Sequence, residues 1–322
     1  MRISPLFSLL FRRPPAPAPV PARARSPFAA DAFGVPALER AFLRVRANGG
    51  GAGGDGVTIA RFDRARAQNL STLSAALLTG VYRSGPLRRI AVRKSGGGKR
   101  MLAIPCVVDR VAQTAWLTAL APTLEARMHP SSFAYRCGRG VDNAVAAARA
   151  QVAMGRSHVA RADVREFFDR VPHARLLAEM PAWIADRRFL ELARGWVRSA
   201  APAGRGLPQG SPISPALANI FLDPLDRAMA ADGLIAVRYA DDIAVFCRSP
   251  KEGRAALQRL GGLLNARGLE LSVEKSQVVS ARSAVFLGQP LTQGRLRFGR
   301  RLAGWLLRRI FPHSHRRVME IA

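Results

Sequence analysis

The chain has 322 residues, of which 48% are hydrophobic, and its 50 Lys and Arg against 22 Asp and Glu give a formal net charge of +28. This apolar content is too high for a disordered basic tail, so we expect a folded protein whose surface faces a polyanion. Nucleic acid is the favoured polyanion, and an anionic membrane surface is the alternative. No apolar run approaches the roughly 18 residues that span a bilayer, and a cytoplasmic location is expected.

Cysteine and histidine usage indicates neither a disulfide framework nor a zinc site. The three cysteines, Cys106, Cys137 and Cys247, are scattered and form no C-x-x-C pair. The five histidines are also scattered. We interpret the histidines as surface residues rather than metal ligands.

The first part of the chain changes in character near residue 35. Residues 1–34 form a Pro-, Ala- and Arg-rich leader that we expect to be flexible, because such a composition cannot build a core. Helical spacing of apolar residues begins at Ala37, and a second helix is predicted over 63–82. Two alternating apolar runs around a Gly-rich turn then predict a hairpin, and residues 109–128 predict a core helix.

The central part mixes short strands with helices. Alternation predicts a strand that carries Arg161, Asp163 and Arg165 on one exposed face. Residues 234–249 predict a hairpin with Asp241 and Asp242 at its tip. A basic helix is expected over 251–267, and the chain from Leu269 to Leu291 is expected to return to strands. Because helices and strands neither alternate regularly nor segregate, the pattern predicts an α+β fold.

Two adjacent aspartates at a tight turn repel each other unless a cation lies between them. Asp241 and Asp242, with Asp163 from another strand, offer the carboxylate oxygens that Mg²⁺ prefers. A pair of such ions supports phosphoryl transfer. For the dipeptide alone, a solvated turn remains the more common interpretation.

The surrounding motifs identify the family. The block from Tyr239 to Asp242, with Asp163 upstream, looks like the palm signature of reverse transcriptases, and the chain resembles the enzymes encoded by bacterial group II introns and their relatives. Ordered blocks from about Asn48 to Gly288 carry this resemblance, among them RADVREFFDRVPH, GLPQGSPISPALANIFL, VRYADDIAVF, LSVEKS and VFLG. The resemblance implies an α+β fold with right-hand polymerase fingers and palm around an antiparallel sheet, and a minimal or absent thumb.

The resemblance also implies a catalytic centre. Asp163, Asp241 and Asp242 would hold two Mg²⁺ ions, for which Mn²⁺ can substitute, and Val164 is implied as a further metal ligand. Lys275 would donate a proton to the leaving pyrophosphate, a role that arginine cannot fill because it does not release its proton.

Further residues are implied to bind the substrates. Lys94 and Arg100, on the Gly-rich hairpin, would contact the triphosphate of the incoming nucleotide. Phe168 would act as the steric gate that excludes ribonucleotides, although Phe167 and Phe168 are also candidates for the core. The remaining implied contacts are those of Gln209 and Tyr239 with the nucleotide or template, and those of Phe286, Leu287 and Gly288 as the primer grip.

The same comparison suggests a division of the chain. Residues 35–155 would form mainly fingers and 156–290 mainly palm, with a segment at about 172–206 contributing to the fingers. Residues 291–322 would form a short basic extension that acts as a rudimentary thumb. No maturase or endonuclease region is evident, so intron splicing and homing are not expected.

The sequence therefore predicts an RNA-directed DNA polymerase that extends a DNA or RNA primer on an RNA template with dNTPs. A structured RNA or an accessory protein is a further candidate partner, and no membrane partner is expected. Two alternatives stay open. One is a domesticated reverse transcriptase in phage defence or CRISPR spacer acquisition, and the other is a non-catalytic basic RNA-binding protein that retains the fold.

Overall fold

The computed structural model describes residues 29–93, 99–201 and 203–292, and the chain in these ranges divides into two compact units. We call residues 122–165 and 219–292 the sheet unit, and residues 29–121 and 166–218 the hairpin unit. The predicted fingers and palm boundaries stay a prediction. Residues 122–155, which the sequence predicts as part of the fingers, belong to the sheet unit and not to the hairpin unit.

The secondary structure alternates helices with short strands along the chain. The helices are α1 (Ala29–Phe33), α2 (Val35–Asn48), α3 (Ile59–Arg64), α4 (Arg66–Thr79), α5 (Val107–Arg127), α6 (Val141–Ala153), α7 (Phe167–Arg170), α8 (His173–Glu179), α9 (Arg187–Ala200), α10 (Ser214–Ala231) and α11 (Pro250–Asn265). The strands are β1 (Arg88–Arg93), β2 (Lys99–Ile104), β3 (His158–Asp163), β4 (Ala236–Tyr239), β5 (Asp242–Cys247), β6 (Gln277–Ser280), β7 (Val285–Phe286) and β8 (Gln289–Pro290).

In the hairpin unit, aromatic packing joins the first helix to α9. Asp186 caps α9 by accepting hydrogen bonds from the backbone N–H groups of Arg188 and Phe189, and the helix then buries one apolar face. The Phe189 ring stacks on Phe33 at 5.0 Å, and the indole of Trp116 donates to the Phe189 carbonyl. Phe33 is fully buried, so its segment belongs to the core.

This packing corrects the predicted start of the fold. The leader was expected to extend to residue 34, whereas α1 already begins at Ala29. The expectation missed α1 because a five-residue helix shows too little periodicity to be recognised, and its stability depends on packing against a distant segment. The rest of the predicted leader, residues 1–28, and the predicted thumb segment, residues 293–322, lie outside the described residues.

The sheet unit is built on a four-stranded antiparallel sheet in the order β4-β5-β3-β6. One face packs on α6 through Val159, Ala244 and Phe246. On the other face, the α11 residue Gly253 approaches the Val278 side chain so closely that a Cβ there would displace it. Because β3 and β5 are covered on both sides, their positions relative to each other are firmly defined.

Three local predictions need correction. The helix predicted over 63–82 is two helices that meet at Ala65, whose backbone leaves the helical region without a Gly or Pro to signal it. Of the first strand predicted after Leu269, over 269–280, only Gln277–Ser280 forms a strand, whereas the second segment forms the paired strands β7 and β8. The expectation that the histidines lie on the surface is wrong for His129 and His173, which are buried and hydrogen-bonded.

Two absences hold for the described part of the chain. The three cysteines are free thiols, as the lack of a paired pattern predicts. No helix within residues 29–93, 99–201 and 203–292 is long and apolar enough to cross a membrane.

Candidate active site

The sheet register brings the predicted carboxylates to one end of the sheet. Asp163 is the last residue of β3 and lies directly opposite Asp242, the first residue of β5. Opposed residues on neighbouring strands project from the same face, about 5 Å apart at their Cβ atoms. Asp241 lies in the turn between β4 and β5, after Ala240, whose φ of 57° is in the left-handed region. Asp163 therefore comes from β3, Asp242 from β5 and Asp241 from the turn that joins β4 to β5.

Burial and mutual repulsion dominate the electrostatics of this cluster. Burial raises the pKa of Asp241 to about 6, and the charge of Asp163 adds to the rise. Burial also raises the pKa of Asp242 to about 6, although the nearby guanidinium of Arg161 opposes the shift. The Asp241 and Asp163 charges raise the pKa of Asp242 further. A cation between these groups would relieve the repulsion.

Lys275 is the nearest cation that the chain itself supplies. Its Nζ donates a hydrogen bond to Asp163 Oδ2 at 3.0 Å, and its side chain is 67% exposed. The loop that carries Lys275 is anchored to β3, because the backbone N–H of Ser272 donates to the Asp163 carbonyl. The ammonium group thus lies against a predicted metal ligand. A cavity of about 260 Å³ opens here and is lined by Arg161, Ala162, Asp163, Asp242, Lys275 and Gln277.

The carboxylate oxygens are suitable ligands for a hard divalent cation, but the side chains do not converge on one metal position. Within the described ranges, no group of three or more His, Cys, Asp or Glu side chains is arranged to hold a metal ion. The bond between Lys275 and Asp163 accounts for part of this, since it turns one carboxylate oxygen towards the ammonium group. The oxygens themselves are the donors that Mg²⁺ and Mn²⁺ prefer.

Val164 has a buried side chain and pairs with Leu271 in an isolated β-bridge. The two hydrogen bonds of this bridge join Ser272 to Asp163 and Arg165 to Glu270. The Val164 carbonyl takes part in neither bond, so its predicted role as a metal ligand is compatible with the local backbone. Tyr239 pairs with Asp242 at the end of β4, and burial raises the pKa of its hydroxyl.

In the hairpin unit, one loop links several predicted nucleotide contacts. The backbone N–H of Leu207 donates to the Phe168 carbonyl at 2.6 Å, and the backbone N–H of Ala103 donates to the Gln209 carbonyl at 2.8 Å. Gly210, with φ of 121°, lies so near the Ala103 carbonyl that a Cβ would be 3.1 Å from it. The loop, which contains Gln209, is therefore hydrogen-bonded both to Phe168 and to strand β2. Strand β2 also carries Arg100. Lys94 lies outside the described residues.

The two adjacent phenylalanines have different surroundings. Phe167 is buried, whereas Phe168 is half-buried, and the two rings pack edge to face at 5.3 Å. Phe167 is thus the core residue of the pair. The partial exposure of Phe168 leaves its ring available to a ligand.

The predicted primer grip is a tight hairpin in the sheet unit. Leu287 and Gly288 both have positive φ, 50° and 78°, which is the geometry of a two-residue type I′ turn between β7 and β8. The Phe286 side chain is fully buried in the core. Any contact with a primer must therefore come from the turn and not from the Phe286 ring.

Two arginines of this region were not singled out as site residues from the sequence. Arg161 lines the cavity beside the carboxylates, and Arg238 is fully buried immediately before the Tyr239–Asp242 block. A charged residue inside an apolar strand is the only sequence signal for Arg238.

The chain is similar to known proteins over most of its length. Residues 92–291 match the family described as reverse transcriptase (RNA-dependent DNA polymerase). Protein YkfC of Escherichia coli strain K12 is 28% identical over 294 residues, which cover 77% of each chain. The group II intron-encoded protein LtrA of Lactococcus lactis subsp. cremoris is 26% identical over 168 residues, covering 50% of this chain and 28% of LtrA.

Among solved structures, a partial Cas6-RT-Cas1–Cas2 complex is similar with a TM-score of 0.44 and 23% identity, over 74% of this chain and 41% of that one. This structural similarity is weak, and the sequence matches carry the assignment. The chain belongs to the reverse transcriptase family, the RNA-directed DNA polymerases, and is similar to its group II intron branch. Its class is therefore nucleotidyltransferase, as the palm signature predicts, and the family normally uses divalent metals.

Proposed function

We propose that this chain extends a DNA or RNA primer on an RNA template by nucleotidyl transfer with two Mg²⁺ ions. The observation that carries the proposal is the register pairing of Asp163 with Asp242, with Asp241 in the adjoining turn. Metal ions bound there would lower the pKa of the primer hydroxyl and neutralise charge on the leaving pyrophosphate. The charge of Asp163 raises the pKa of both Asp241 and Asp242, which supports a site where the three carboxylates lie close together.

The three aspartates would hold the ions, and different parts of the fold fix their positions. Asp163 and Asp242 are fixed by the sheet, while Asp241 depends on the conformation of the turn. Metal binding at Asp163 would compete with its hydrogen bond from Lys275. Release of the ammonium group would leave Lys275 free to face the substrate.

Lys275 is proposed as the proton donor to the leaving pyrophosphate. Its exposed ammonium group and its position beside Asp163 support this role. Its bond to Asp163 would keep the ammonium group near phosphates that are held by metal ions at the three aspartates.

Phe168, Gln209, Arg100 and Lys94 are proposed to bind the incoming nucleotide, with Phe168 excluding a 2′-hydroxyl. The loop that ties Phe168 and Gln209 to β2 supports their acting together. Cations on the hairpin suit a triphosphate, because charge-assisted hydrogen bonds to phosphate are strong.

The experiment is single-nucleotide primer extension on an RNA template with dNTPs and Mg²⁺. We expect the wild-type chain to extend the primer and Asp241→Asn to be slower by several orders of magnitude, because metal-held charge dominates phosphoryl transfer. Asp232→Asn is the matched control, since Asp232 is an exposed aspartate paired with Arg259. Full activity of Asp241→Asn would refute the mechanism.

The non-catalytic RNA-binding alternative is separated by the same assay. If the wild-type chain binds the template and primer but adds no nucleotide with Mg²⁺ or Mn²⁺, that alternative holds and the polymerase proposal is wrong. Either biological setting, an intron-like element or a domesticated enzyme in defence, would leave the chemical result unchanged.

A further inference from the structure

The buried arginine before the catalytic block makes an unusually complete set of contacts. Arg238 is fully buried, and its side chain pairs with Asp226, which is also fully buried. Nε donates to Asp226 Oδ1 at 2.8 Å and Nη2 donates to Asp226 Oδ2 at 2.6 Å, so the pair is bidentate. Nη2 also donates to Ser132 Oγ, and Nη1 donates to Asn219 Oδ1 and to the Ala240 carbonyl. All five guanidinium N–H groups are therefore used.

One of these five bonds reaches the catalytic turn. The Ala240 carbonyl, which accepts from Arg238 Nη1 at 3.0 Å, belongs to the peptide bond that precedes Asp241. Ala240 has a φ of 57°, in the left-handed region that is strained for a residue with a Cβ atom. A strained residue stays in such a conformation only where its surroundings hold it there.

The partners of Arg238 are themselves fixed. Asn219 and Asp226 lie on α10, and the Asn219 Nδ2 group donates to the Ala134 carbonyl. Both backbone polar groups of Arg238 are hydrogen-bonded to one loop. Its N–H donates to the Ser131 carbonyl, and its carbonyl accepts from the Phe133 N–H. The guanidinium group is thus held between a helix, a loop and a strand, and it is rigid when it meets the turn.

Stability alone does not explain this arrangement. Replacing a buried ion pair by well-packed apolar residues is often neutral or stabilising, because taking both charges out of water is expensive. An apolar pair, however, could not donate to the Ala240 carbonyl. The function that only an arginine fulfils here is to join the ion pair to the turn.

We propose that Arg238 is a positioning residue that holds the Ala240–Asp241 turn in the conformation that presents the Asp241 carboxylate. The inference deepens the proposed polymerase function, because Asp241 is one of its metal ligands. Arg238 itself touches no reacting atom and acts through the turn.

The test separates the geometry of the guanidinium group from its charge. Arg238→Lys keeps a positive charge near Asp226 but loses the planar fork that reaches Asp226 and Ala240 together. The matched control is Arg227→Gln. Arg227 also pairs with an aspartate of α10, Asp223, and also donates to a backbone carbonyl, that of Arg127, but its bonds do not reach the turn.

Two readouts are taken at a temperature where circular dichroism shows each variant to be folded. Hydrogen exchange of peptides that span residues 239–243, without metal, should be at least about tenfold faster in Arg238→Lys, because the turn opens locally. In single-nucleotide addition, kcat should fall about a hundredfold and the KM for dNTP should change little, because a displaced ligand impairs the chemical step. Arg227→Gln should lose thermal stability but keep both readouts near the wild-type values.

Wild-type exchange and wild-type kcat in folded Arg238→Lys would overturn the proposal, and so would an equally large rise in exchange and fall in kcat in Arg227→Gln. If Arg238→Lys does not fold, the double variant Arg238→Met with Asp226→Leu decides, because an apolar pair removes both buried charges and cannot donate to the Ala240 carbonyl. Unchanged exchange of the turn in the folded double variant would then refute the proposal, and faster exchange would support it. If the wild-type chain adds no nucleotide, the polymerase proposal fails, whereas the exchange readout still decides the role of Arg238.

Discussion

At the scale of single residues, we expect Asp241 and Asp242 to couple metal binding to pH. Their pKa of about 6 lies above the 3.8 of an ordinary aspartate. In the metal-free protein both groups bind protons more tightly when folded than when unfolded, so their contribution to stability rises as pH falls from 7 towards 4. A divalent cation favours the deprotonated forms and opposes this trend. We therefore expect Mn²⁺ or Mg²⁺ to raise the melting temperature at pH 8 and to have little effect at pH 5.

Thermal unfolding at both pH values, with and without millimolar cation, measures this effect. The control is the double variant Asp241→Asn with Asp242→Asn, which should lose the cation-dependent rise at pH 8 and be more stable than wild type without metal. An equal rise at pH 5 and pH 8 would show that the cation binds elsewhere.

Phe167 and Phe168 should respond to substitution in opposite ways. Phe167 is buried, so Phe167→Ala should destabilise the fold by about 3–5 kcal/mol. Phe168 is half-buried, and Phe168→Ala should cost less stability but let ribonucleotides compete with dNTPs, because the proposed exclusion needs the bulk of the ring. Urea denaturation and a comparison of kcat/KM for rNTP and dNTP measure the two effects.

Phe168→Tyr is the matched control, since it keeps an aromatic ring and should keep discrimination. Unchanged discrimination in Phe168→Ala would remove Phe168 from the nucleotide site.

At the scale of elements, the turn between β7 and β8 depends on Gly288. Its φ of 78° is in the left-handed region, where a Cβ costs about 1–2 kcal/mol, so Gly288→Ala should destabilise the protein by that amount. Gly262 offers the opposite case within α11, because it is helical and a Cβ there meets nothing within 4 Å. Gly262→Ala should stabilise by up to about 1 kcal/mol. Urea denaturation should give the two variants opposite signs, and equal signs would contradict the turn geometry.

At the scale of the whole molecule, the net charge of +28 should dominate binding to nucleic acid. Each phosphate that the protein neutralises releases counterions, so affinity for an RNA–DNA hybrid should fall roughly a thousandfold or more between about 50 and about 200 mM salt if six or more phosphates are contacted. Fluorescence anisotropy at a series of salt concentrations measures the slope. Asp241→Asn should keep the same slope, and a salt-independent affinity would mean that the basic residues do not face the nucleic acid.

Much of the fold followed from local patterns. The two hairpins at 88–104 and 236–247, helix α11 and the long helix α5 lie where periodicity and turn residues place them, because these signals arise from neighbouring residues. Two boundaries were missed, at Ala29 and at Ala65, for the opposite reason. Helix α1 is too short to show a pattern, and the break at Ala65 carries no residue that forbids helix.

Some residues of the candidate site could likewise be predicted from the sequence, and others could not. The aspartates of the YADD block and Asp163 could be recognised because their residue types and spacing match a family whose chemistry requires carboxylates. Arg238 could not, since one arginine in a strand says nothing of partners from 12 to 106 positions away. The sequence also did not show which of Phe167 and Phe168 is buried, because both side chains are equally apolar.

The sequence by itself determined the class of this protein, and it predicts the three carboxylates and an attraction to polyanions, because motif chemistry and net charge need no coordinates. Only the tertiary structure decided that Asp163 opposes Asp242, that Lys275 bonds to Asp163 and that Arg238 holds the peptide before Asp241. These contacts join residues distant in the chain. Strand register and burial bring them together, and register depends on the packing of the whole sheet rather than on any local pattern.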